Sequence, residues 1–449
     1  MINRTMSHGV VVILAMSTML ATTLAAAAEA KSPDKKAIAE VAAGTRTEAH
    51  ASWWGFDPID STASLQAAIN SGARKLLVDN MGAPWVVNKL QLAGNQEIVF
   101  AKGVVVQAKR GEFHGRGDSL FYASLKKNIT LTGYGATLKM WKQDYDDRKQ
   151  YRHAEWRHVL DLYSCAQVRI SGLTLADSGG DGVYLGVARK GVPCSDVVIR
   201  DVKCVNNYRQ GISVISARNL LIENCLLKDT WGTAPMAGID FEPNRPSDQL
   251  TNCVMRNCLS ENNRGGGYVL YLRALRAESK PISVRIENCR SVGCRSSAAF
   301  STGNDNQTAA VKGTMDFVHC TFERSRQAAI TIGDKPVNGA RVSFVNCKII
   351  DPAADRPAST PIMFSRGSHA VSAVGGVHFQ DCTIEDPINR RPMSYHDSSG
   401  GAGLAAITGT LTVRRGDRSI CYQLTPALIA QWMPHKSFKR RETLPKPAQ

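Results

Sequence analysis

The 449-residue sequence has none of the compact signatures that mark phosphate, zinc or acyl-transfer chemistry. It contains no Gly-Lys-Ser/Thr segment to cradle a phosphate, no Cys-x-x-Cys pair, no His-Glu-x-x-His and no Gly-x-Ser-x-Gly elbow. Nothing therefore calls for an organic cofactor. Acidic residues are also in short supply, with 39 Asp and Glu against 55 Lys and Arg and a formal net charge of +16. On an exported chain such a surface suits an acidic polysaccharide or an acidic cell surface better than nucleic acid. It serves equally to keep long β-edges soluble and unpaired. With 43% hydrophobic and 21% charged residues, the composition is that of folded globular material for most of its length.

What is present begins with a secretory pattern. Arg4 supplies a positive start, Val10 to Ala28 an apolar stretch, and Ala28-Glu29-Ala30 a small-residue cleavage site. Residues 1–30 thus read as a signal peptide, which implies a secreted or periplasmic protein with no stable membrane insertion after cleavage. An uncleaved anchor is the alternative, since the stretch approaches the ~18 residues that span a bilayer.

Twelve cysteines in an exported chain would ordinarily suggest disulfides. Their setting points elsewhere. Glu-Asn-Cys225, Arg-Asn-Cys258, Glu-Asn-Cys289, Val-His-Cys320, Val-Asn-Cys347 and Gln-Asp-Cys382 repeat one phrase, each with an apolar residue three positions earlier, from Ile222 to Phe379. The separations of 33, 31, 31, 27 and 35 residues have the period of a solenoid. Short alternating runs such as Leu220 to Ile222 read as strands too short to bury a face alone, so successive copies must stack ~4.8 Å apart. The thiols then form an interior ladder of small hydrophobes. Asn206-Asn207, Lys228-Asp229 and Asn262-Asn263 occupy one turn position in three successive coils. Ahead of the repeats, Asp60-Ser61-Thr62 with Leu65, Ala68 and Ile69, stopped by Gly72, predicts a short capping helix.

Gly55-Phe-Asp57, Ser64-Leu-Gln-Ala-Ala-Ile69, Leu76-Leu-Val78, Leu90-Gln-Leu92 and Asn128-Ile-Thr-Leu-Thr-Gly133-Tyr-Gly135 resemble the opening of the pectate-lyase-like superfamily, which includes the polygalacturonase-type glycoside hydrolases. The resemblance runs from about Gly55 to Ile384 and implies an all-β, right-handed parallel β-helix. The expected organisation is a signal peptide at 1–30, a leader at 31–54, the β-helix at 55–387, and a C-terminal cap and tail at 388–449. The fold alone leaves the chemistry open.

Stacked coils offer one long face on which a polymer can lie. Three consecutive coils concentrate unusual residues there: Asp177 to Tyr184, Asn207 to Ser213, and Ala237 to Asn244. If Ile239 and Phe241 point inward, Asp240 and Glu242 point outward together, with Cα atoms ~6.6 Å apart. That separation is near the range of an inverting acid and base pair, and close negative charges raise one pKa. Asp240 and Glu242 are therefore the catalytic candidates, assisted by Asp181; two solvated strand carboxylates and a turn residue are the plain alternatives. Asp181 matches the Asp of the polygalacturonase Asn-Thr-Asp motif, but Arg209-Gln210 stand where that resemblance implies an Asp pair, and standard polygalacturonase chemistry is not carried over. The substitution feeds a rival: a polysaccharide lyase or epimerase acting on uronates, with Arg209 as base and Ca²⁺ held by carboxylates. An Arg pKa above ~12 makes a poor base, so Arg209 and Arg264 are read as substrate-binding residues. Tyr184, Asn244, and the insertion residues Trp141 and Trp156 complete that group. His153 and His158 read more readily as packing residues, and Asn304-Asp305-Asn306 as a turn or groove extension. The expectation is a monomeric glycan-active hydrolase, with a non-catalytic glycan binder as the third possibility.

Overall fold

The residue ahead of each repeated cysteine turns the chain. Asn224, Asn257, Asn288, His319, Asn346 and Asp381 all have φ between 52° and 55°, a left-handed conformation that Asn and Asp adopt at lower cost than most residues. Each phrase is thus a corner followed by an inward thiol. Asn206, Asp229 and Asn262 have the same conformation at the turn position picked out in the sequence. They stack: Asn206 Nδ2 donates to Asp177 Oδ1 at 2.7 Å, and Asn262 Nδ2 to Asp229 Oδ1 at 2.7 Å.

The computed structural model describes residues 29–303, 310–367, 372–398 and 403–433. Residues 1–28 of the signal-like segment, Asn304-Asp305-Asn306 and the basic tail from Lys436 lie outside them. Between the corners the chain winds into a parallel β-solenoid. One sheet of eleven strands runs in coil order from Leu90–Gln91 through Phe121–Ser124, Leu160–Tyr163, Asp181–Gly186, Gln210–Val214, Ala237–Phe241, Gly266–Tyr271, Ser296–Ser301, Ile330–Gly333 and Ile362–Arg366 to Met393–Asp397. The other strands form the remaining walls, also almost entirely parallel.

Like side chains lie above like. Phe317, Phe344 and Phe379 stack inside with centroids 5.2 Å apart. The backbone N–H groups of Cys225 and Cys258 donate to the Sγ atoms of the next coil's Cys258 and Cys289, at 3.3 and 3.4 Å. All twelve cysteines are free thiols; eleven are buried and Cys421 is exposed. Burial raises the thiol pKa of Cys194 and Cys253 to about 12, which keeps them unreactive.

The first coil is covered by helix Thr62–Ile69, which buries Leu65, Ala68 and Ile69. Asp60 rather than Ser61 supplies the side-chain acceptor, its Oδ1 taking the Thr62 N–H at 2.9 Å, while the Ser61 hydroxyl donates to Asp57 O. A helix at Lys35–Ala42 and a strand at Glu48–His50 precede it, the strand pairing in parallel with Lys75 to Leu77. At the other end Leu404–Arg415 stacks on Val374–Glu385, pairs antiparallel with Arg418–Gln423, and is followed by helix Pro426–Trp432. No helix among the described residues is long and apolar enough to cross a membrane.

Candidate functional site

Four successive strands of the eleven-stranded sheet share one local pattern: Asp181-Gly-Val-Tyr184-Leu, Gln210-Gly-Ile-Ser213-Val, Ala237-Gly-Ile-Asp240-Phe and Gly266-Gly-Tyr-Val269-Leu. The glycine is required because a Cβ at Gly182, Gly211 or Gly238 would come within 2.6 to 2.7 Å of the carbonyl oxygen of the next coil's glycine. On either side of this close approach two positions per coil face away from the core. One row carries Asp181 and Gln210, the other Tyr122, Asp161, Tyr184, Ser213 and Asp240.

These side chains form one connected cluster. Ser213 Oγ donates to Asp181 Oδ2 at 2.8 Å and also meets Gln210 Oε1. Gln210 Nε2 donates to Asp240 Oδ2 at 3.0 Å. Arg209 ties the far side together, Nη1 to Gln210 Oε1 at 2.9 Å and Nη2 to Glu242 Oε2 at 2.7 Å, with Nε 3.7 Å from Glu155. Asp161 Oδ2 accepts from Ser119 Oγ at 2.9 Å. His158 Nδ1 lies 3.0 Å from Asp181 N and 3.2 Å from Asp181 Oδ2, so it accepts the backbone N–H when unprotonated and can donate to the carboxylate when protonated. The His158 ring stacks on Tyr184 at 4.5 Å and 12°.

The sequence suggested a solvent-open strip, and the structure corrects this. Asp181, Asp240 and Arg209 are 0%, 1% and 8% exposed. The insertion leading to His158 folds back over the strand starts, with Arg157 bridged to Gly179 and Glu155 reaching Arg209. Burial, with Glu242 alongside, pushes the Asp240 carboxyl well above its ordinary range, and burial likewise raises Asp161. Burial pulls His158 down, but the facing Asp181 carboxylate outweighs it and His158 ends above its usual value. Burial also opposes the charge on Arg209, yet Asp181 and Glu242 hold it still more firmly protonated than usual. A proton held this firmly works against the arginine-as-base role considered from the sequence. One oxygen each of Asp161, Asp181 and Asp240, together with His158 Nε2, has no hydrogen-bond partner.

Comparison with known proteins fits this architecture. The family model described as "Right handed beta helix region" matches residues 153–312. The solved exopolygalacturonase of Thermotoga maritima is similar with a TM-score of 0.51 at 14% identity, over 87% of this chain and 99% of its own. This chain has the right-handed parallel β-helix fold. The family 28 exopolygalacturonase of Yersinia enterocolitica gives 0.53 at 12% identity over 83% of this β-helix and 76% of that chain. The mannuronan C-5 epimerase AlgE6 A-module of Azotobacter vinelandii gives 0.54 at 12% over 82% and 100%. No curated protein matches the sequence. At these identities the likeness concerns the fold.

Of the residues singled out in the sequence, the β-helix brings together Asp181, Asp240, Glu242, Arg209 and Tyr184. It leaves four elsewhere. Arg264 lies over Trp231 at 5.6 Å; Trp141 donates to Ala108 O and carries Arg110 at 4.0 Å; Trp156 lies under Arg116 at 4.9 Å. Asn244 is exposed in a turn, its N–H donating to Asp248 Oδ2. Sequence reasoning missed Asp161 and Ser119, gave Gln210 and Ser213 no role of their own within the Asn207 to Ser213 segment, and set His158 aside as a packing residue. Asp161 could have been found from Leu160-Asp161-Leu162, a carboxylate between two inward apolar residues as in Ile239-Asp240-Phe241. The carboxylates are engaged by Ser119, Ser213, Gln210 and Arg209 rather than converging on one point, and among the described residues no group of three His, Cys, Asp or Glu is arranged to hold a metal. The cluster does not fit the Ca²⁺ considered for a lyase.

Proposed function

We propose that this protein is an exported glycan-active enzyme that hydrolyses glycosidic bonds on the eleven-stranded face. The observation carrying the reading is Asp240: a carboxyl on the outward row whose pKa burial and Glu242 push well above its ordinary range, with Oδ1 unpartnered. A protonated carboxylic acid in such a place is the group that bond cleavage needs at the leaving oxygen. In the proposed reaction Asp240 gives its proton to the glycosidic oxygen as the bond to the anomeric carbon breaks. Glu242 takes a proton from the attacking water, and Asp181 assists through Ser213. Arg209 binds substrate oxygens while holding Glu242 and Gln210 in place. Neighbours of the same fold named as exopolygalacturonases and as a mannuronan C-5 epimerase support a polysaccharide partner, and the Arg4 to Ala30 pattern supports export.

A uronate lyase or epimerase is favoured by a different observation, the fixed cation of Arg209 beside the stacked His158 and Tyr184 rings. There Arg209 would neutralise a sugar carboxylate and the ring pair would move the proton next to it. Incubation with a panel of linear polysaccharides separates the readings. Hydrolysis gives new reducing ends without ultraviolet absorbance, lyase action gives an absorbing unsaturated end, and epimerisation changes the proton spectrum of an uncut chain. Absence of all three changes would leave only a binding role and overturn the enzymatic reading.

A further inference from the structure

We infer that Tyr122, Tyr163 and Tyr184 form a binding rail for a linear polysaccharide, which enters the carboxylate cluster from the N-terminal coils. This rests on the glycan reading above and adds the direction of the chain and the residues that grip it. Tyr122, Tyr163 and Tyr184 sit on three successive strands of the eleven-stranded sheet. Their rings are consecutive neighbours, Tyr122 to Tyr163 at 5.8 Å and 47°, Tyr163 to Tyr184 at 5.6 Å and 50°. The last ring lies on His158 inside the cluster.

The contrast with the interior stack argues against simple packing. Inside the solenoid the aromatic ladder is phenylalanine, nearly coplanar at 26° and 10°, and buried. The rail is tyrosine, tilted, and on the side away from the core, with Tyr122 36% exposed and the other two half-buried. Space for it is left deliberately open by the backbone: a Cβ at Gly186 would come within 2.5 Å of Tyr184 Cε1 and 2.7 Å of Tyr163 Cε1. Flat amphipathic rings at coil spacing offer apolar surface to the C–H faces of successive sugars and hydroxyls to their rims, at low entropic cost.

Four coil steps separate the Tyr122 and Asp240 levels, ~19 Å at ~4.8 Å per step, enough for several sugar units. On the other side of Asp240 the row of Tyr122 and Tyr184 continues as Val269, Ala299 and Thr331, without rings, and the neighbouring row that carries Tyr163 offers a single ring, the 39% exposed Tyr271. Most of the grip on the chain therefore falls on the N-terminal side of the cluster.

The test uses the full-length protein carrying Asp240→Asn, so that turnover does not consume the ligand. Retention on gels containing polygalacturonate, mannuronan or a neutral β-glucan identifies a bound polymer, and titration with its trimer and octamer gives affinities. Adding Tyr122→Ala should weaken octamer binding about three- to tenfold, with a smaller penalty for the trimer, and Tyr122→Trp should restore it. Tyr134, 56% exposed and bonded to Asp201, lies away from the rail, so Tyr134→Ala is the control. Octamer affinity unchanged by Tyr122→Ala, or reduced as much by Tyr134→Ala, would overturn the rail and leave the glycan reading standing. Failure of the Asp240→Asn protein to retain any polymer would overturn the glycan reading, and the rail with it.

Discussion

Along one outward row of the eleven-stranded sheet the residues up to the third glycine strand are Tyr122, Asp161, Tyr184, Ser213 and Asp240, whereas beyond it they are Val269, Ala299, Thr331 and Met363. The inward neighbours do not change in kind: Val183, Ile212 and Ile239 in the first half, Tyr268, Ala298 and Ile330 in the second, all buried. Both halves thus meet the same demand for an apolar interior and the same strand spacing. Stacking places no requirement for carboxylates on this row, and its second half carries none. In the first half, Asp161, Asp181 and Asp240 each leave a buried oxygen without a partner, a cost of about 1 to 3 kcal/mol apiece. A sequence shaped by stability alone would carry Val or Thr there. The polar half retains a cluster that destabilises the fold, which is the expected sign of a working site.

The largest effect should come from Asp240→Asn, which removes the transferable proton and keeps the shape. Turnover of the glycan should fall at least about 100-fold, measured as new reducing ends. Stability should move the other way. Asp240 has its pKa raised in the folded state, so above the ordinary 3.8 the native protein keeps a proton that the unfolded chain releases. Wild-type stability therefore declines as pH rises from about 4 towards the folded pKa and levels off beyond it. Asn lacks this slope, so the melting temperature of the variant relative to wild type should be more favourable near neutrality than near pH 4. An identical difference at both pH values would mean that Asp240 is not held protonated. One position earlier, Ile239→Ala acts on the interior that both halves share and should cost about 2 to 5 kcal/mol, read from urea midpoints at unchanged slope. A cost under about 1 kcal/mol would mean that the core is looser than its packing implies.

How much of this contrast could be read in the sequence follows from which side of the strand a residue faces. The interior was legible because stacking forces repetition: the Asn-Cys phrases returned every 27 to 35 residues, and the Thr62–Ile69 helix announced itself by its apolar spacing. The outer side has no such periodicity, and only residues with unusual chemistry stood out, such as Asp181, Arg209, Asp240 and Glu242. Asp161 escaped because its coil carries no glycine at the bend, and Ser213 because a hydroxyl looks like any turn-adjacent serine. His158 escaped because a histidine in an insertion is more often packed than paired, and its position against Asp181 depends on how that insertion folds back. Burial of the cluster was not legible either, since strand alternation gives direction and says nothing about what covers a face. Trp141, Trp156 and Arg264 were conspicuous by type, yet cation and ring contacts on the flank already account for them.

Continuity of the interior through both halves can be checked with thiols. Cys225 to Cys382 run as one buried ladder past the point where the outer row changes, and Cys421 lies outside it. Under native conditions a polar thiol reagent should label Cys421 and spare the other eleven cysteines; after denaturation all twelve should react without prior reduction. Several fast-reacting thiols in the folded protein would show that the coils open in one half, and fewer than twelve after denaturation would show disulfides in place of the ladder.

The smallest effects give the sharpest comparison, because they can be made reciprocal on the same row. Ser213→Ala in the first half removes the hydroxyl that donates to Asp181 Oδ2 at 2.8 Å, where both side chains are fully buried. A buried carboxylate oxygen without its donor should cost about 1 to 3 kcal/mol and should depress turnover as well. Ala299→Ser in the second half adds the same hydroxyl at a half-exposed position with no carboxylate on the adjacent strands at its level, where Val269 and Thr331 lie. It should change stability by no more than about 0.5 kcal/mol and leave turnover as it was. The pair isolates the environment from the substitution, since one hydroxyl is subtracted and one is added at equivalent points of the same sheet. Equal costs in the two halves would mean that the polar cluster is ordinary surface, and the case for a site on the N-terminal coils would go with it.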